Sequence, residues 1–229
     1  MIPTPDLLHL TNEDKLHVYD PAEDTFLLLD GLEQDAEDLR RPRPLICLEI
    51  GSGSGCVSAF LGLILGPTNT LYLTTDINHR ASDCTLKTGQ QNKIHLDPVT
   101  CDLARPLMKR LRHLVDIVLF NPPYVPTDTE EVLSAQVDHG ISGSWAGGAN
   151  GMEITNRFLR DVKDLLSEQG KFYLVALEEN NIPEIRKRMF RDFSLQSQVV
   201  AQRRAGRESL YILRFTRADP VHTACSSLS

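Results

Sequence analysis

The chain has no surplus of positive charge. Its 229 residues hold 24 Lys and Arg against 31 Asp and Glu, which gives a formal net charge of −7. A domain whose main partner is the phosphate backbone of a duplex is usually basic. The charge balance therefore disfavours unaided binding to duplex nucleic acid. Three short basic clusters, each more typical of a solvated helix or turn face, lie at residues 109–113, 186–191 and 203–207.

Cysteine is also sparse, and no two cysteines have the C-x-x-C spacing of a zinc or redox site. An odd count of five without framework spacing is typical of reduced thiols. We therefore expect a cytoplasmic protein, with the nucleus as a second location, and no metal held by this chain. The cysteines are Cys47, Cys56, Cys84, Cys101 and Cys225.

Signals for export or membrane insertion are missing as well. Residues 1–5 have no basic start followed by an apolar run, which a secretory signal requires. Residues 50–75 carry no charge, but their continuous apolar part, residues 56–65, is far shorter than the roughly 20 residues that cross a bilayer. This segment instead predicts a buried strand, a helix and a second strand.

Short apolar runs alternate with helical patterns along the chain, which predicts an α/β fold with a mainly parallel sheet and helices on both faces. Only the turn-like residues 203–207 separate the last two runs, and a parallel pair would need a crossover there. We expect a hairpin, with one edge strand antiparallel to the rest. The seven predicted strands cover residues 45–50, 71–75, 98–101, 115–120, 171–177, 195–201 and 209–215.

The first helix of this domain has a clear start signal. Asp20 can cap it, Pro21 fits its first position and Glu23 stands where a capping box requires an acid. An apolar stripe at helical spacing follows, formed by Phe26, Leu29 and Leu32. The remaining predicted helices cover residues 57–65, 81–92, 154–166 (ended by Gly170) and 183–191.

A glycine-rich turn, Gly51-Ser-Gly53-Ser-Gly55, follows the first strand and opens a helix. Glycine lets a backbone turn tightly and approach a ligand closely. Asp76 ends the next strand, where its carboxylate can accept hydrogen bonds from both hydroxyls of a ribose. Because open α/β sheets bind ligands at the carboxyl ends of their strands, these residues predict a nucleoside-containing cofactor there.

The surrounding residues favour S-adenosyl-L-methionine over NAD. The dinucleotide fingerprint has its third glycine three residues after the second, at the position of Cys56. Glu49, two residues before Gly51, would repel a pyrophosphate but not a cationic amino acid tail. Asp102, after the third strand, can accept a hydrogen bond from an adenine amino group, although an ordinary helix cap is an equally good interpretation of this residue alone.

The most specific signal is Asn121-Pro122-Pro123-Tyr124, directly after the fourth strand. Two prolines restrict the backbone and remove two N–H donors, so the carbonyl groups point in fixed directions. The Asn121 side-chain oxygen and the Pro122 carbonyl can together accept both hydrogens of an –NH₂ group, and Tyr124 can lie against its flat face. This predicts direct methyl transfer to a planar nitrogen, accelerated mainly by positioning; a merely rigid turn is the alternative.

Residues 125–151 are polar and rich in glycine. A segment of this length without an apolar pattern is usually functional or disordered. We expect it to cover the Asn-Pro-Pro-Tyr corner as a substrate lid. Trp145, the single tryptophan, is either a substrate contact in this lid or a buried anchor for it, and the sequence favours neither.

Together these residues resemble the HemK-like protein glutamine methyltransferases, in particular the eukaryotic and archaeal catalytic subunits that modify the class I translation release factor. Asn-Pro-Pro-Tyr alone is shared with adenine and other amino methyltransferases, so the combination of motifs is what discriminates. The resemblance covers nearly the whole chain. Its motifs are Tyr19-Asp-Pro-Ala-Glu-Asp-Thr25, Glu49-Ile-Gly-Ser-Gly-Ser-Gly55, Asp76-Ile-Asn78, Asp102, Asn121-Pro-Pro-Tyr124 and Trp145-Ala-Gly-Gly-Ala-Asn-Gly151.

The resemblance implies a Rossmann-like class I methyltransferase domain over residues 19–217, preceded by an N-terminal arm (1–18) and followed by a disordered tail (218–229). It implies N5-methylation of the glutamine in the Gly-Gly-Gln motif of the release factor. The cofactor contacts that we expect are Thr25, Glu49, Gly51, Gly53, Asp76, Asp102 and Asn121. The expected catalytic residues are Asn121, Pro122 and Tyr124, and the expected substrate contacts are these three with Pro123 and Trp145.

Family members of this type act with a small zinc-binding activator protein, so the resemblance also implies a heterodimer in which the zinc belongs to the partner. An apolar edge of the sheet is a reasonable docking surface for it. Three alternatives remain at this stage: a nucleic-acid (adenine N6) amino methyltransferase, a histone lysine methyltransferase, and a catalytically silent scaffold. The acidic charge balance and the lack of a segment to hold an opened duplex disfavour the first.

Overall fold

Seven β-strands build one sheet in the part of the chain that the structure, a computed structural model, describes: residues 1–124, 151–206 and 208–218. The strands are β1 (Ile46–Ile50), β2 (Leu71–Asp76), β3 (Leu96–Thr100), β4 (Val115–Phe120), β5 (Leu166–Leu177), β6 (Leu195–Ala205) and β7 (Glu208–Arg217). Their order across the sheet is β3-β2-β1-β4-β5-β7-β6. Strands β1 to β5 are parallel, which confirms the predicted, mostly parallel architecture.

The hairpin of β6 and β7 closes one edge of the sheet, as predicted, but the position of its two strands differs from the expectation. β7 pairs with both β5 and β6 and is antiparallel to each. The antiparallel strand therefore lies second from the edge, and the edge strand β6 runs in the direction of the parallel strands. After β5 the chain forms a helix and then β6, which leaves the width of one strand between β6 and β5. β7 returns into this space and pairs with β5 on one side and with β6 on the other.

Helices cover both faces of the sheet. They are α1 (Asn12–His17), α2 (Glu23–Gln34), α3 (Ala36–Arg40), α4 (Cys56–Leu65), α5 (His79–Gln91), α6 (Glu153–Leu165) and α7 (Ile182–Phe193). Alternate residues of each strand point to opposite faces. On β1, Cys47 packs with α2 and α4, whereas Leu48 packs with α6 and α7. No helix among the described residues is long and apolar enough to cross a membrane.

The predicted start of α2 is wrong by two residues. Ala22 is the N-cap, in an extended conformation and without a side-chain hydrogen bond to the helix. The Asp20 carboxylate accepts a hydrogen bond from the Lys15 ammonium at 3.1 Å and, within the described residues, none from the backbone of α2. Leu29 and Leu32 of the predicted apolar stripe are buried, as expected, but Phe26 is partly exposed, and Leu27 and Leu28 are buried as well.

Gly170 does not end α6, contrary to the prediction, because this helix stops at Leu165 and β5 begins at once. Gly170 is needed for a close approach instead. A Cβ atom at this position would lie 2.9 Å from the carbonyl oxygen of Val115 on the neighbouring strand. The glycine therefore lets the first part of β5 pack tightly against β4.

The N-terminal residues are fastened to the domain by polar contacts. The backbone N–H of Ile2 donates to Glu33 on α2 at 2.6 Å, and that of Asp6 donates to Asn92 at 2.8 Å. The Asn78 side chain donates to the carbonyl oxygen of His17 at 2.8 Å. These contacts carry the segment across the edge of the domain to the carboxyl end of β2. A boundary between arm and domain at residue 18 stays a prediction, and residues 219–229 lie outside the described part.

Candidate active site

One cavity of about 420 Å³ lies at the carboxyl ends of β1, β2 and β4. It collects the side chains that the motifs singled out, although they come from five separate segments of the chain. The predicted site residues that line it are Thr25, Glu49, Gly51, Gly53, Asp76, Asp102, Asn121, Pro122, Pro123 and Tyr124. The prediction for Trp145 and for the lid lies outside the described residues.

The glycine turn after β1 adopts a left-handed backbone conformation at each of its three glycines. Gly51, Gly53 and Gly55 have φ angles of 70°, 51° and 77°, in the left-handed region that favours glycine. Gly55 also packs closely: a Cβ atom there would lie 2.8 Å from the Cα of Thr85 on α5. The turn therefore needs glycine both for its backbone conformation and for its contact with the next helix.

Asp76 fastens this turn as well as lining the cavity. Its Oδ2 accepts a hydrogen bond from the Gly53 N–H, and its Oδ1 accepts one from the Asn78 N–H, each at 2.9 Å. Burial raises the pKa of Asp76, and the backbone N–H donors oppose that shift. Each carboxylate oxygen keeps a second lone pair for a ligand, so ribose binding and the structural contacts are compatible.

Glu49, on β1, has a buried carboxyl that faces the first turn of α4. Its Oε2 accepts a hydrogen bond from the Ser58 N–H at 3.0 Å and another from the Ser58 hydroxyl. Burial raises the pKa of Glu49 to about 8, against the effect of the Ser58 donors, which lower it. Because a nearby positive charge favours the ionised form, this carboxyl is suited to a cationic ligand.

Asp102 forms a contact that the sequence did not reveal. Its Oδ2 accepts a hydrogen bond from the Arg157 guanidinium on α6, and the Arg105 guanidinium lies 3.3 Å away. Residues 103–110 form turns rather than a helix, so the alternative of an ordinary helix cap is wrong. Asp102 therefore connects the loop after β3 to α6, and its Oδ1 makes no hydrogen bond within the described residues.

An aromatic cluster in the core holds the end of β4, directly before the Asn-Pro-Pro-Tyr corner. Phe120, the last residue of β4, is buried and packs edge-to-face against Phe158 of α6, with ring centroids 5.1 Å apart. Phe158 in turn packs against Phe172 of β5 at 5.8 Å. Such pairs stabilise a core beyond their burial of apolar area. The backbone that leads into Asn121 is therefore held by the core.

In the Asn121 side-chain amide, the nitrogen has a hydrogen-bond partner and the oxygen has none among the described residues. Its Nδ2 donates a hydrogen bond to Asp24 Oδ2 at 2.8 Å. Its Oδ1 is buried and has no hydrogen-bond partner among the described residues. Buried polar atoms are nearly always paired in a folded protein, so an unpaired acceptor at a cavity indicates a ligand.

Asp24 is the site residue that the sequence analysis missed. It lies between two residues of the Tyr19–Thr25 motif, but its partner Asn121 is 97 residues away in sequence. Its Oδ1 accepts hydrogen bonds from the Tyr19 hydroxyl at 3.1 Å and from the Thr25 hydroxyl at 3.4 Å. Thr25, expected to contact the cofactor, also helps to hold this carboxylate.

The two tyrosines of the site are neutral groups. Burial and the charge of Asp24 raise the pKa of Tyr19 and of Tyr124 well above the ordinary value for a phenol. Neither hydroxyl is therefore suited to act as a base near neutral pH. Glu208, at the start of β7, completes this side of the cavity.

Comparisons with known proteins give a consistent result. No family model matches the chain. Methyltransferase HEMK2 of Homo sapiens is 52% identical over 201 residues, which are 88% of this chain and 90% of the human protein. The eRF1 methyltransferase catalytic subunit mtq2 of Schizosaccharomyces pombe is 39% identical over 226 residues, 95% of this chain and 96% of the yeast protein.

The chain belongs to the HEMK2/Mtq2 family of methyltransferases. The resemblance drawn from the motifs is thereby confirmed. A solved structure supports the same family: the Mtq2–Trm112 complex of E. cuniculi, described as responsible for methylation of the eRF1 termination factor, matches with a TM-score of 0.62 and 26% identity. The match covers 88% of this chain and 99% of that one. The family's Rossmann-like class I fold agrees with the sheet described above.

Proposed function

We propose that the protein transfers a methyl group from S-adenosyl-L-methionine to N5 of a glutamine side chain, the glutamine of the Gly-Gly-Gln motif of the class I translation release factor. It does so as the catalytic subunit of a heterodimer with a small zinc-binding activator. The observation that carries this proposal is the buried Asn121 Oδ1, which has no hydrogen-bond partner in the described part of the chain and lies beside a cavity lined by Glu49 and Asp76.

The residues of the cavity fit this cofactor. When bound, S-adenosyl-L-methionine supplies an activated methyl group on a sulfonium. Asp76 offers acceptors for the two ribose hydroxyls. Glu49 offers a carboxyl whose ionised form, disfavoured by burial alone, the cationic amino acid portion would stabilise. Asp102 offers Oδ1 to the adenine amino group. The same carboxylates would repel a pyrophosphate, which disfavours a dinucleotide.

The Asn-Pro-Pro-Tyr corner fits a primary amide as the methyl acceptor. Asn121 Oδ1 and the Pro122 carbonyl accept the two hydrogens of the –NH₂ group, which holds the nitrogen in one orientation. Tyr124 lies against the planar amide. Because the acceptor needs no activation by a base, orientation and exclusion of water provide the acceleration in this mechanism. The proton of the methylated nitrogen leaves to solvent.

The relatives support the choice of substrate and partner. The S. pombe relative is named as the catalytic subunit of an eRF1 methyltransferase. The E. cuniculi relative was solved in complex with Trm112. We extend both properties to this chain because it matches these proteins over nearly their whole length. The proposed location is the cytoplasm, where translation ends, with the nucleus as a second compartment.

A transfer assay tests the proposal directly. The purified chain is mixed with methyl-labelled S-adenosyl-L-methionine and one of three acceptors (release factor, DNA oligonucleotide or histone), with and without the activator. We expect label on the release factor, dependent on the activator and absent from a variant factor in which the motif glutamine is replaced. Label on DNA alone would contradict the substrate assignment, and no transfer to any acceptor would favour a scaffold.

A further inference from the structure

We propose that Asp24 is a positioning residue that fixes the amide of Asn121 in one orientation and thereby makes the corner select –NH₂ groups over groups that only accept hydrogen bonds. This inference rests on the proposed function, because it concerns the same acceptor site. It adds a residue that none of the motif arguments assigned to the reaction.

The orientation of an asparagine amide is not fixed by its shape. Rotation by half a turn exchanges the oxygen and the NH₂ group with almost no change in volume. At Asn121 the choice matters, because one orientation presents an acceptor to the substrate and the other presents two donors. A glutamine amide that approaches with its own NH₂ group needs the acceptor.

Asp24 provides the chemical reason for one orientation. An ionised carboxylate only accepts hydrogen bonds, so the group of Asn121 that faces it must be NH₂. The reverse orientation would place the amide oxygen against a carboxylate oxygen at hydrogen-bond distance. Oδ1 is thereby left as a buried acceptor without a partner among residues 1–124, 151–206 and 208–218.

Asp24 is itself held rigidly. Its side chain is buried, and the Tyr19 and Thr25 hydroxyls both donate to its Oδ1. It lies in the first turn of α2, where the helix dipole favours a negative charge. No Lys or Arg within the described residues pairs with it. A buried carboxylate without a cation is costly, so its retention at the site points to the task of orienting Asn121.

This arrangement makes a specific prediction about acceptor chemistry. A glutamine side chain can donate two hydrogen bonds to the corner, whereas a glutamate side chain would bring oxygen against oxygen. Sites built to pair with a donor reject an analogue that lacks it, because buried acceptors are then left unpaired. Wild-type protein should therefore bind a peptide with glutamine at the acceptor position about 10-fold or more tightly than the same peptide with glutamate.

The test compares these two peptides on the complete heterodimer with S-adenosylhomocysteine present. In Asp24→Ala the Asn121 amide can turn, so the preference for glutamine should fall to about 3-fold or less, and methyl transfer should slow by about 100-fold. The affinity for S-adenosylhomocysteine should stay within about 3-fold of wild type. Glu23→Gln is the charge control: it removes a negative charge from the same helix turn, but Glu23 pairs with Arg203 and does not line the cavity, so this variant should keep the preference.

A second readout follows Asn121 itself. In wild type, the Nδ2 hydrogen that is bonded to Asp24 should exchange slowly with solvent by NMR, and this protection should be lost in Asp24→Ala. The proposal would be overturned if Asp24→Ala kept the glutamine preference and the wild-type amide were unprotected. It would also be overturned if Asp24→Ala lost affinity equally for both peptides and for S-adenosylhomocysteine. If wild-type enzyme does not methylate the release factor at all, the proposed function fails, and amide protection alone decides the role of Asp24.

Discussion

Arg157 on α6 donates a hydrogen bond to the carboxylate of Asp102 in the loop after β3, although 55 residues separate them in sequence. The side chains are partly buried, with relative exposures of 26% and 33%. An ion pair of this kind is screened less than one on the open surface. It joins the helix that follows the corner to the loop expected to hold adenine, so binding of the cofactor should depend on it.

We therefore expect Arg157→Ala to weaken binding of S-adenosylhomocysteine by about 3- to 10-fold, because Asp102 loses its orienting partner. Isothermal titration calorimetry measures the change. Arg160→Ala is the matched control, since Arg160 lies on the same helix and its one hydrogen bond within the described residues goes to the Asn156 carbonyl oxygen. Equal affinities in the two variants would show that the ion pair does not hold the cofactor site.

The raised pKa of Glu49 predicts how stability changes with pH in the protein without cofactor. The folded state keeps a proton that the unfolded chain loses above the ordinary pKa of 4.5, so this contribution is fully present below 4.5 and declines as pH rises to about 8. Within that window one such proton lowers the free energy of unfolding by up to about 1.4 kcal/mol per pH unit.

Glu49→Gln removes this titration, and we expect its free energy of unfolding to fall less steeply with pH than that of wild type. Urea denaturation at several pH values inside the window measures both slopes. Glu168→Gln, at an exposed position, is the control and should follow wild type. Parallel curves for wild type and Glu49→Gln would mean that Glu49 is already ionised in the folded protein.

Gly55 is constrained both by its φ of +77° and by a neighbour, whereas Gly206 has a φ of +61° and open space around it. Alanine at either position should cost about 1 kcal/mol for the left-handed backbone. Gly55→Ala should cost a further 1–3 kcal/mol or so, because the new Cβ meets the Thr85 backbone. Chemical denaturation of the two variants gives the difference, and equal costs would argue against close packing of the turn on α5.

The sequence was sufficient for features that depend on local pattern. The apolar run Val115–Phe120 was predicted with the bounds observed, and the carboxyl ends of the parallel strands bring Glu49 and Asp76 together as expected. The position of β7 could not be predicted, because two antiparallel strands joined by a turn have the same pattern whichever of them lies at the edge.

Polar pairs between residues that are far apart in sequence could not be predicted either. Asp24 follows an acid and precedes a threonine at a helix start, which is typical of a solvated first turn as much as of a site. Its contact with Asn121 exists only because the first turn of α2 lies beside the residue that follows β4. In the same way, nothing local distinguishes Arg157 from its exposed neighbour Arg160. The sequence places such residues on elements, but their pairing depends on how the elements pack.

In the proposed mechanism, Asn121 is the residue that accepts the hydrogen bond of the substrate amide. The most direct measurement is the single-turnover rate of methyl transfer to the release factor by Asn121→Ala, with the affinity for S-adenosylhomocysteine measured on the same preparation. We predict a rate lower by about 100- to 1000-fold with cofactor affinity largely kept. A near wild-type rate, or loss of cofactor binding, would contradict the role assigned to this side chain.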